Sequence, residues 1–357
     1  MIPSTTSLLT QLDKVLPAHG TVLIVTHNAP DPDALAAAAG MQLLLRQRWS
    51  LKGQIVFSGQ ISRPENRELM RHFLYRTLPP EKISARQRHY PAIFTDTTPR
   101  AGNVSVPAQA RAVAVFDHHQ TRRPMPGILS DLHPGLGAIT TRIYECLRTA
   151  DIAIPRWLTT VMAYAISSET ADFTRAASPR DIAAYRELLA SANMAMLGRI
   201  RLAPLPTEHF AFLAEGIRQA RVYRQTAWTH LAATPQPEIV AEISDLLLRM
   251  ERITRTLCTG VMCDRLLFAF RNQAQRDHRR LLHRLAKLHH GSYGGHGHVT
   301  AGSFELPRLP GARQARVTLL TEALISGLGI PRTAVGHPLI QPTGVIPCAQ
   351  PAANHAS

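Results

Sequence analysis

Lysine is nearly absent from this 357-residue chain, which holds only Lys14, Lys52, Lys82 and Lys287 among 40 basic residues. The rest are arginines, and against 25 acidic residues they leave a formal charge of +15. Such a surplus draws polyanions, because summed surface charge raises the local concentration and on-rate of counter-ions. A GC-rich genome produces the same arginine bias, so selection and composition both stay open as its source. Cysteine is scarce as well. Cys146, Cys258, Cys263 and Cys348 form no C-x-x-C pair, which argues against a zinc ribbon or a disulfide scaffold and for a reducing, cytoplasmic setting. The most apolar run, residues 34–45, falls short of the ~20 residues a membrane span needs. The opening MIPSTTSLLTQLDKVLPAHG has neither the basic nor the apolar region of a signal peptide. P-loop, nucleophile-elbow and dinucleotide fingerprints are missing too.

Single cores rarely grow past ~250–300 residues, so two domains are expected. Short β-branched runs at Thr21–Thr26, Gln54–Phe57, Ala92–Thr95 and Ala112–Phe116 alternate with helical stretches at 4–18, Asp33–Trp49 and Glu65–Tyr75. This alternation predicts an α/β fold with a doubly wound parallel sheet and ligands at the carboxyl ends of its strands. Helices are predicted at Gly137–Arg148, Pro155–Ser167 and Pro179–Ala190, closing a first domain at 1–195. Residues 196–222 read as a helical linker and 223–333 as a smaller α/β domain. That domain holds strands Thr256–Met262 and Leu266–Phe270, a basic helix Asp277–His290, a glycine run Gly291–Gly302 and a last helix Ala312–Leu328. The tail, 334–357, carries no periodicity and reads as disordered.

His27-Asn28-Ala29-Pro30-Asp31-Pro32-Asp33, Asp96 and Asp117-His118-His119 each follow one of the apolar runs. Their carboxylates and imidazoles are therefore expected at one end of one sheet. Carboxylate oxygens with a minority of imidazole nitrogens suit Mn²⁺, Mg²⁺ or Co²⁺, and paired ions of this kind serve in-line attack on phosphorus. Plainer readings exist for each piece. Asp33 suits a helix N-cap, and Asp96 suits a turn after a strand. Two adjacent histidines behind an apolar strand are rarely needed for packing.

The set resembles the DHH phosphoesterase superfamily, whose motifs are H-x-x-P-D-x-D-A, a lone Asp ending a strand, and D-H-H. This chain has His27-x-x-Pro30-Asp31-x-Asp33-Ala34, Asp96 and Asp117-His118-His119. The family's fourth motif, S/T-D-T, appears as Ser168-Glu169-Thr170 with glutamate for aspartate. The extra methylene carries that carboxylate ~1.5 Å further out. The resemblance implies two divalent ions, Mn²⁺ foremost, with His27, Asp31 and Asp96 on one and Asp33, Asp96, His118 and Glu169 on the other. His119 would then act on the phosphoryl group and Asp117 would orient a histidine.

The second half is similar to the DHH-associated domain of nanoRNases and RecJ-type exonucleases, marked by S-L-R-S and G-G-G-H-x-x-A-x-G. Here Phe268-Ala269-Phe270-Arg271-Asn272 and Gly294-Gly295-His296-Gly297-His298-Val299-Thr300-Ala301-Gly302 stand in those places. Glycines admit phosphate close to backbone amides and an arginine grips it through two parallel bonds. A plain loop with glycines at positive φ is the other reading of that run. The resemblance implies hydrolysis of short oligoribonucleotides or a nucleoside bisphosphate, with substrate on Arg271, Gly294, Gly295, His296, Gly297 and His298. Exopolyphosphatase action, and a nucleotide- or single-stranded-nucleic-acid-binding protein without turnover, remain alternatives. A homodimer is left open.

Overall fold

Apolar, β-branched runs build a six-stranded sheet in the first unit. Its strands are β1 (Thr21–Val25), β2 (Lys52–Val56), β3 (Thr77–Leu78), β4 (Tyr90–Thr95), β5 (Ala110–Asp117) and β6 (Leu129–Leu132). They are all parallel, in the order β3-β2-β1-β4-β5-β6. The computed structural model describes residues 4–84, 89–119, 123–273, 279–296, 299–331, 334 and 336–340. It divides into two units, Met1–Pro204 and Leu205–Ser357. Among the described residues no helix is long and apolar enough to cross a membrane.

Both faces of the first sheet are buried, so its strands read as continuous apolar runs. Val22, Ile24, Ile93 and Phe116 point into one core, while Leu23, Val25, Phe94 and Val115 point into the other. The first unit's helices are α1 (Thr5–Val15), α2 (Pro32–Trp49), α3 (Pro64–Arg71), α4 (Ile139–Thr149), α5 (Arg156–Glu169), α6 (Pro179–Ser191) and α7 (Met194–Arg201). The Ser4 hydroxyl caps α1 by accepting from Ser7 N at 3.2 Å.

Helix α2 is buried on every side from Pro32 to Met41, as a helix in the middle of a core must be. Small side chains at Ala36–Ala39 and Gly40 let α4 and α5 approach it closely. A Cβ on Gly40 would lie 2.7 Å from Ile143 Cγ2 on α4 and 3.2 Å from Met162 Cε on α5.

The second unit holds α8 (Thr207–Gln219), β7 (Arg221–Tyr223), β8 (Thr226–Leu231), α9 (Pro237–Leu248), β9 (Arg255–Met262), β10 (Arg265–Asn272), α10 (Arg279–Leu288), β11 (Gly291–His296), β12 (Val299–Glu305), α11 (Pro310–Gly327) and β13 (His337–Pro338). Its sheet runs β11-β12-β10-β9-β8-β7-β13. Among the described strands of this second sheet, only β8 and β9 pair in parallel. Leu266, Phe268 and Phe270 pack with α10 and α11 residues, and Leu267 and Ala269 with α9 residues.

The segment read as a linker, 196–222, divides between the end of α7, the whole of α8 and the start of β7. Elements β8 and α9 lie outside those read from the sequence. In the tail, His337–Pro338 pairs antiparallel with Arg221–Val222; residues 341–357 lie outside the described residues.

The loop reading of the glycine run needs correction. Residues Gly291–His296 pair antiparallel with Val299–Phe304, and none of Gly291, Gly294 and Gly302 has a positive φ. Packing accounts for two of these glycines. A Cβ on Gly302 would lie 2.2 Å from Ser292 O and 2.8 Å from the Phe268 ring, and one on Gly291 would lie 2.4 Å from the Phe304 ring. Those two rings stack with centroids 5.2 Å apart. A Cβ on Gly294 would meet nothing within 4 Å.

Candidate metal centre

In the first sheet the strand order reverses between β1 and β4, and ligands of open α/β sheets bind in the crevice at such a point, beyond the strands' carboxyl ends. His27 follows β1, Asp96 directly follows β4, and Asp117 closes β5 with His118 and His119 behind it. Asp31 is the N-cap of α2, accepting from Ala34 N at 2.9 Å. Asp33 lies in the first turn of α2, so the cap that the sequence allowed to Asp33 falls to its neighbour. Glu169 is the last residue of α5.

His27, Asp31, Asp33, His118 and His119 meet around Asp96; Glu169 is in neither of the triads with metal-ligand spacing there. His27 Nε2 lies 3.5 Å from Asp96 Oδ2 and 3.7 Å from Asp31 Oδ2. On the other side His118 Nε2 lies 3.4 Å from Asp96 Oδ1 and 3.6 Å from Asp33 Oδ2, and His119 Nδ1 lies 3.5 Å from Asp96 Oδ1. Two triads, His27–Asp31–Asp96 and Asp96–His118–His119, thus have the spacing of metal ligands and share Asp96. The separations exceed the 2.7–3.2 Å of ordinary hydrogen bonds. They approach the ~3 Å expected between ligand atoms that bind one ion at ~2.1 Å and at right angles.

Asp96 is 3% exposed, and its Oδ1 is buried with no hydrogen-bond partner. A buried carboxylate oxygen of this kind calls for an explanation, and a cation supplies one. Asp96 also has φ +59°, a left-handed conformation that aspartate tolerates better than most residues. Strain of this type collects at functional sites.

The neighbours of each candidate ligand fix its orientation. His118 Nδ1 is 3.1 Å from Leu136 O, which puts the proton there and leaves Nε2 as a ligand atom. His27 Nδ1 makes the corresponding contact with Asn28 O at 2.9 Å. Asp117 is fully buried; its Oδ1 accepts from His119 N at 2.8 Å and holds His119 Nδ1 at 2.7 Å. Asp33 accepts from Ile139 N and Thr140 N, both at 2.8 Å, so its carboxylate sits on the N-terminus of α4, where amides and dipole favour an anion.

Negative charge is nonetheless in excess. Burial, then the charge of Asp96, pushes the Asp33 carboxyl up to about 7. Burial, then Asp31, Asp33 and Asp96, pushes the half-buried Glu169 up to about 8. Burial pulls His27 down, but its close contacts with the Asp31 and Asp96 carboxylates carry it up to about 11. Asp96 moves the other way: burial opposes its ionisation, and contacts with His118 and His27 hold it well below the carboxylate range. Crowded carboxylates that keep protons in a buried, imidazole-lined site are what divalent cations displace. The donor set therefore fits such ions.

Arg271 occupies a different setting in the second unit. It is 5% exposed and its guanidinium holds Asp245 of α9 through Nε and Nη2, the latter at 3.1 Å from Oδ2. Gly294 and Gly295 lie in β11 opposite Ala301 and Thr300, and His296 lies opposite Val299. Gly297 and His298 lie outside the described residues.

Several functional contacts had no local signal. Asp181 appears in sequence only as part of a Ser178-Pro179-Arg180-Asp181 capping box, yet its carboxylate reaches Gly137 N at 2.8 Å across a separation of 44 residues. The Leu136 carbonyl and the Thr140 amide are backbone groups, which no residue type announces.

A parallel α/β sheet with a shared-aspartate cluster of acids and imidazoles at its switch point defines the class. No protein-family model matches the chain. In sequence it is similar to an uncharacterized protein of Methanocaldococcus jannaschii, 26% identical over 287 residues and covering 80% of this chain. The match spans only 58% of the length of that curated relative. In structure it is similar to an exopolyphosphatase-related protein from Bacteroides fragilis, with TM-score 0.68 and 14% identity over 90% of this chain and 96% of that one. It is also similar to RecJ in complex with Mn²⁺ from Thermus thermophilus, with TM-score 0.47 and 15% identity over 92% of this chain and 54% of that one. The chain has the fold of that exopolyphosphatase-related protein.

Proposed function

We propose that the protein is a metal-dependent phosphoesterase acting on short oligoribonucleotides or a nucleoside bisphosphate. The observation that supports this reading is the pair of triads with metal-ligand spacing that share Asp96, whose buried Oδ1 has no hydrogen-bond partner; His119 of the second triad is held through Nδ1 by Asp117 and is kept for the phosphoryl group. His27, Asp31 and Asp96 would hold one ion, and Asp33, Asp96, His118 and Glu169 the other. Mn²⁺ suits this oxygen-rich, imidazole-containing set, with Mg²⁺ and Co²⁺ as substitutes. A pair of such ions supplies an activated water and stabilises the attacking and leaving oxygens of an in-line displacement.

The chain's own residues do the rest. Asp117 fixes His119 through Nδ1, so Nε2 is the atom that exchanges a proton with the phosphoryl group or its leaving oxygen. Leu136 O and Asn28 O hold His118 and His27 in the tautomer that presents Nε2. The amides of Ile139 and Thr140 keep the Asp33 carboxylate from rotating. In the second unit nucleotide binding is assigned to Arg271 and residues 294–298. Gly294, whose missing side chain no neighbour requires, is the position open to close approach by phosphate. Arg271 would take phosphate only by sharing or exchanging Asp245.

The test is incubation of Mn²⁺-loaded protein with a ribodinucleotide, with 3′-phosphoadenosine 5′-phosphate and with polyphosphate. Turnover of either nucleotide is expected. Release of phosphate from polyphosphate alone overturns the substrate assignment in favour of an exopolyphosphatase. Tight, salt-sensitive nucleotide binding without hydrolysis of any of the three overturns the enzyme reading.

A further inference from the structure

Five residues between β6 and the first turn of α4 bear on three of the ligands at once. Leu136 O meets His118 Nδ1 at 3.1 Å. Ile139 N and Thr140 N donate to Asp33. Gly137 sits against Thr170, the residue after Glu169, so closely that a Cβ there would lie 2.5 Å from Thr170 Cγ2. The groups that determine where this strap lies therefore also determine how His118 and Asp33 face one another, and they bear on the end of α5 beside Glu169.

One side chain outside the cluster holds the strap. Asp181, fully buried in the first turn of α6, accepts from Gly137 N at 2.8 Å, Ala138 N at 3.3 Å and Thr141 Oγ1 at 2.6 Å. Its Oδ2 also accepts from Ser178 N at 2.8 Å and Ser178 Oγ at 2.6 Å. The amides at the start of α4 are thus shared between two carboxylates, Asp181 taking 137 and 138 and Asp33 taking 139 and 140. Glycine at 137 is part of the arrangement, because its Cβ would also lie 3.1 Å from Asp181 Oδ2. None of these bonds touches His27 or Asp31.

We propose that Asp181 is a positioning residue for one ion of the pair, the one assigned to Asp33, His118 and Glu169, and not for the ion assigned to His27 and Asp31. This rests on the two-metal reading above. Asp181 contacts neither ion. It anchors the strap whose other side orients one ion's ligands, and outer groups of that kind change metal affinity ~10–100-fold. Loss of its charge would let the strap drift, taking His118 and Asp33 with it and leaving the β1 side of the cluster in place.

Mn²⁺ titration of the full chain, followed by electron paramagnetic resonance and calorimetry, separates the possibilities. The wild type should bind two ions. Asp181→Asn should bind one with wild-type affinity and the other ~10–100-fold more weakly. The Asp181→Asn/His27→Ala pair should retain neither at concentrations that fill one site in each single variant. If Asp181→Asn does not fold, Ser178→Ala with Thr141→Val loosens the same carboxylate and should weaken the same single ion by a smaller factor. Two ions held at wild-type affinity in a folded variant, or equal weakening of both, overturns the assignment and leaves the two-metal reading standing. A wild type that takes up no Mn²⁺ overturns both.

Discussion

Asp33 and Thr140 stand 107 residues apart, yet the Thr140 amide donates to Asp33 Oδ1 at 2.8 Å and its hydroxyl to the Asp33 carbonyl at 3.2 Å. One residue pair thereby ties the start of α2, which carries Asp31 and Asp33, to the start of α4. The carboxylate at this junction is also crowded by others, and that crowding has a measurable dependence on pH.

Without metal, the fold should lose stability as pH rises from about 4 through about 8. Asp33 and Glu169 are raised to about 7 and about 8, so the native state keeps protons that the unfolded chain releases near ~4. Stability falls wherever the native state binds more protons than the unfolded one. His27, raised to about 11, acts in the same direction: its contribution is full below ~6.5 and is lost as pH climbs through its folded value. Asp96, held low, contributes above ~4 and loses that contribution only in acid. Thermal melts in chelator across pH 5–9 should therefore slope downward. Mn²⁺ should reverse the slope, since it replaces those protons; a flat chelator profile contradicts the assignment.

Glu169→Asp puts the shorter side chain of the resembled motif at this position. The variant should bind the second ion more tightly, and turnover at limiting Mn²⁺ should rise several-fold. Manganese titration with a dinucleotide assay reads both. A drop in affinity and turnover together would mean that this site is built around glutamate.

Arg142 should prove a structural residue of the first order. It is 2% exposed and binds Asp131 at 2.7 Å, Thr5 Oγ1 at 2.7 Å and Glu145 at 3.2 Å, joining α4 to β6 and α1. Arg142→Ala would leave the buried Asp131 charge to His133 alone, at a cost toward the lower end of the ~3–5 kcal/mol of a broken buried pair. Urea denaturation should show that loss, while Mn²⁺ stoichiometry at low urea stays unchanged.

Two glycines of the second unit should separate packing from recognition. Gly302→Ala forces a methyl against Ser292 O and the Phe268 ring and should lose ~1–3 kcal/mol. Gly294→Ala meets open space and should keep its melting temperature, yet raise KM for nucleotide. An unchanged KM would remove Gly294 from the proposed binding set.

Much of the site was legible because its residue types are unusual where they fall. Asp117-His118-His119 closes a buried strand, and no core needs two imidazoles there. Strands β1, β4 and β5 were equally plain as apolar runs. Strand β6 was not, because its sequence Leu129-Ser130-Asp131-Leu132 carries a charge that is tolerable only beside Arg142 and His133. Helix α9 did carry a signal, in the spacing of Ile239, Val240, Ile243 and Leu247. Arg271 was legible as a residue type, but its partner Asp245 lies 26 positions away. Asp181 was visible only as a cap.

Gly40 has a bearing on the chemistry despite lying in mid-helix. It marks the crossing of three rods, α2, α4 and α5, whose far tips carry Asp31 and Asp33, the amides that clasp Asp33, and Glu169. A single methyl inserted there would act as a wedge at a pivot, splaying those tips while altering no ligand. Sequence variation at this crossing is thus a remote means of tuning the proposed metal pair, and one that inspection of the cluster alone would overlook.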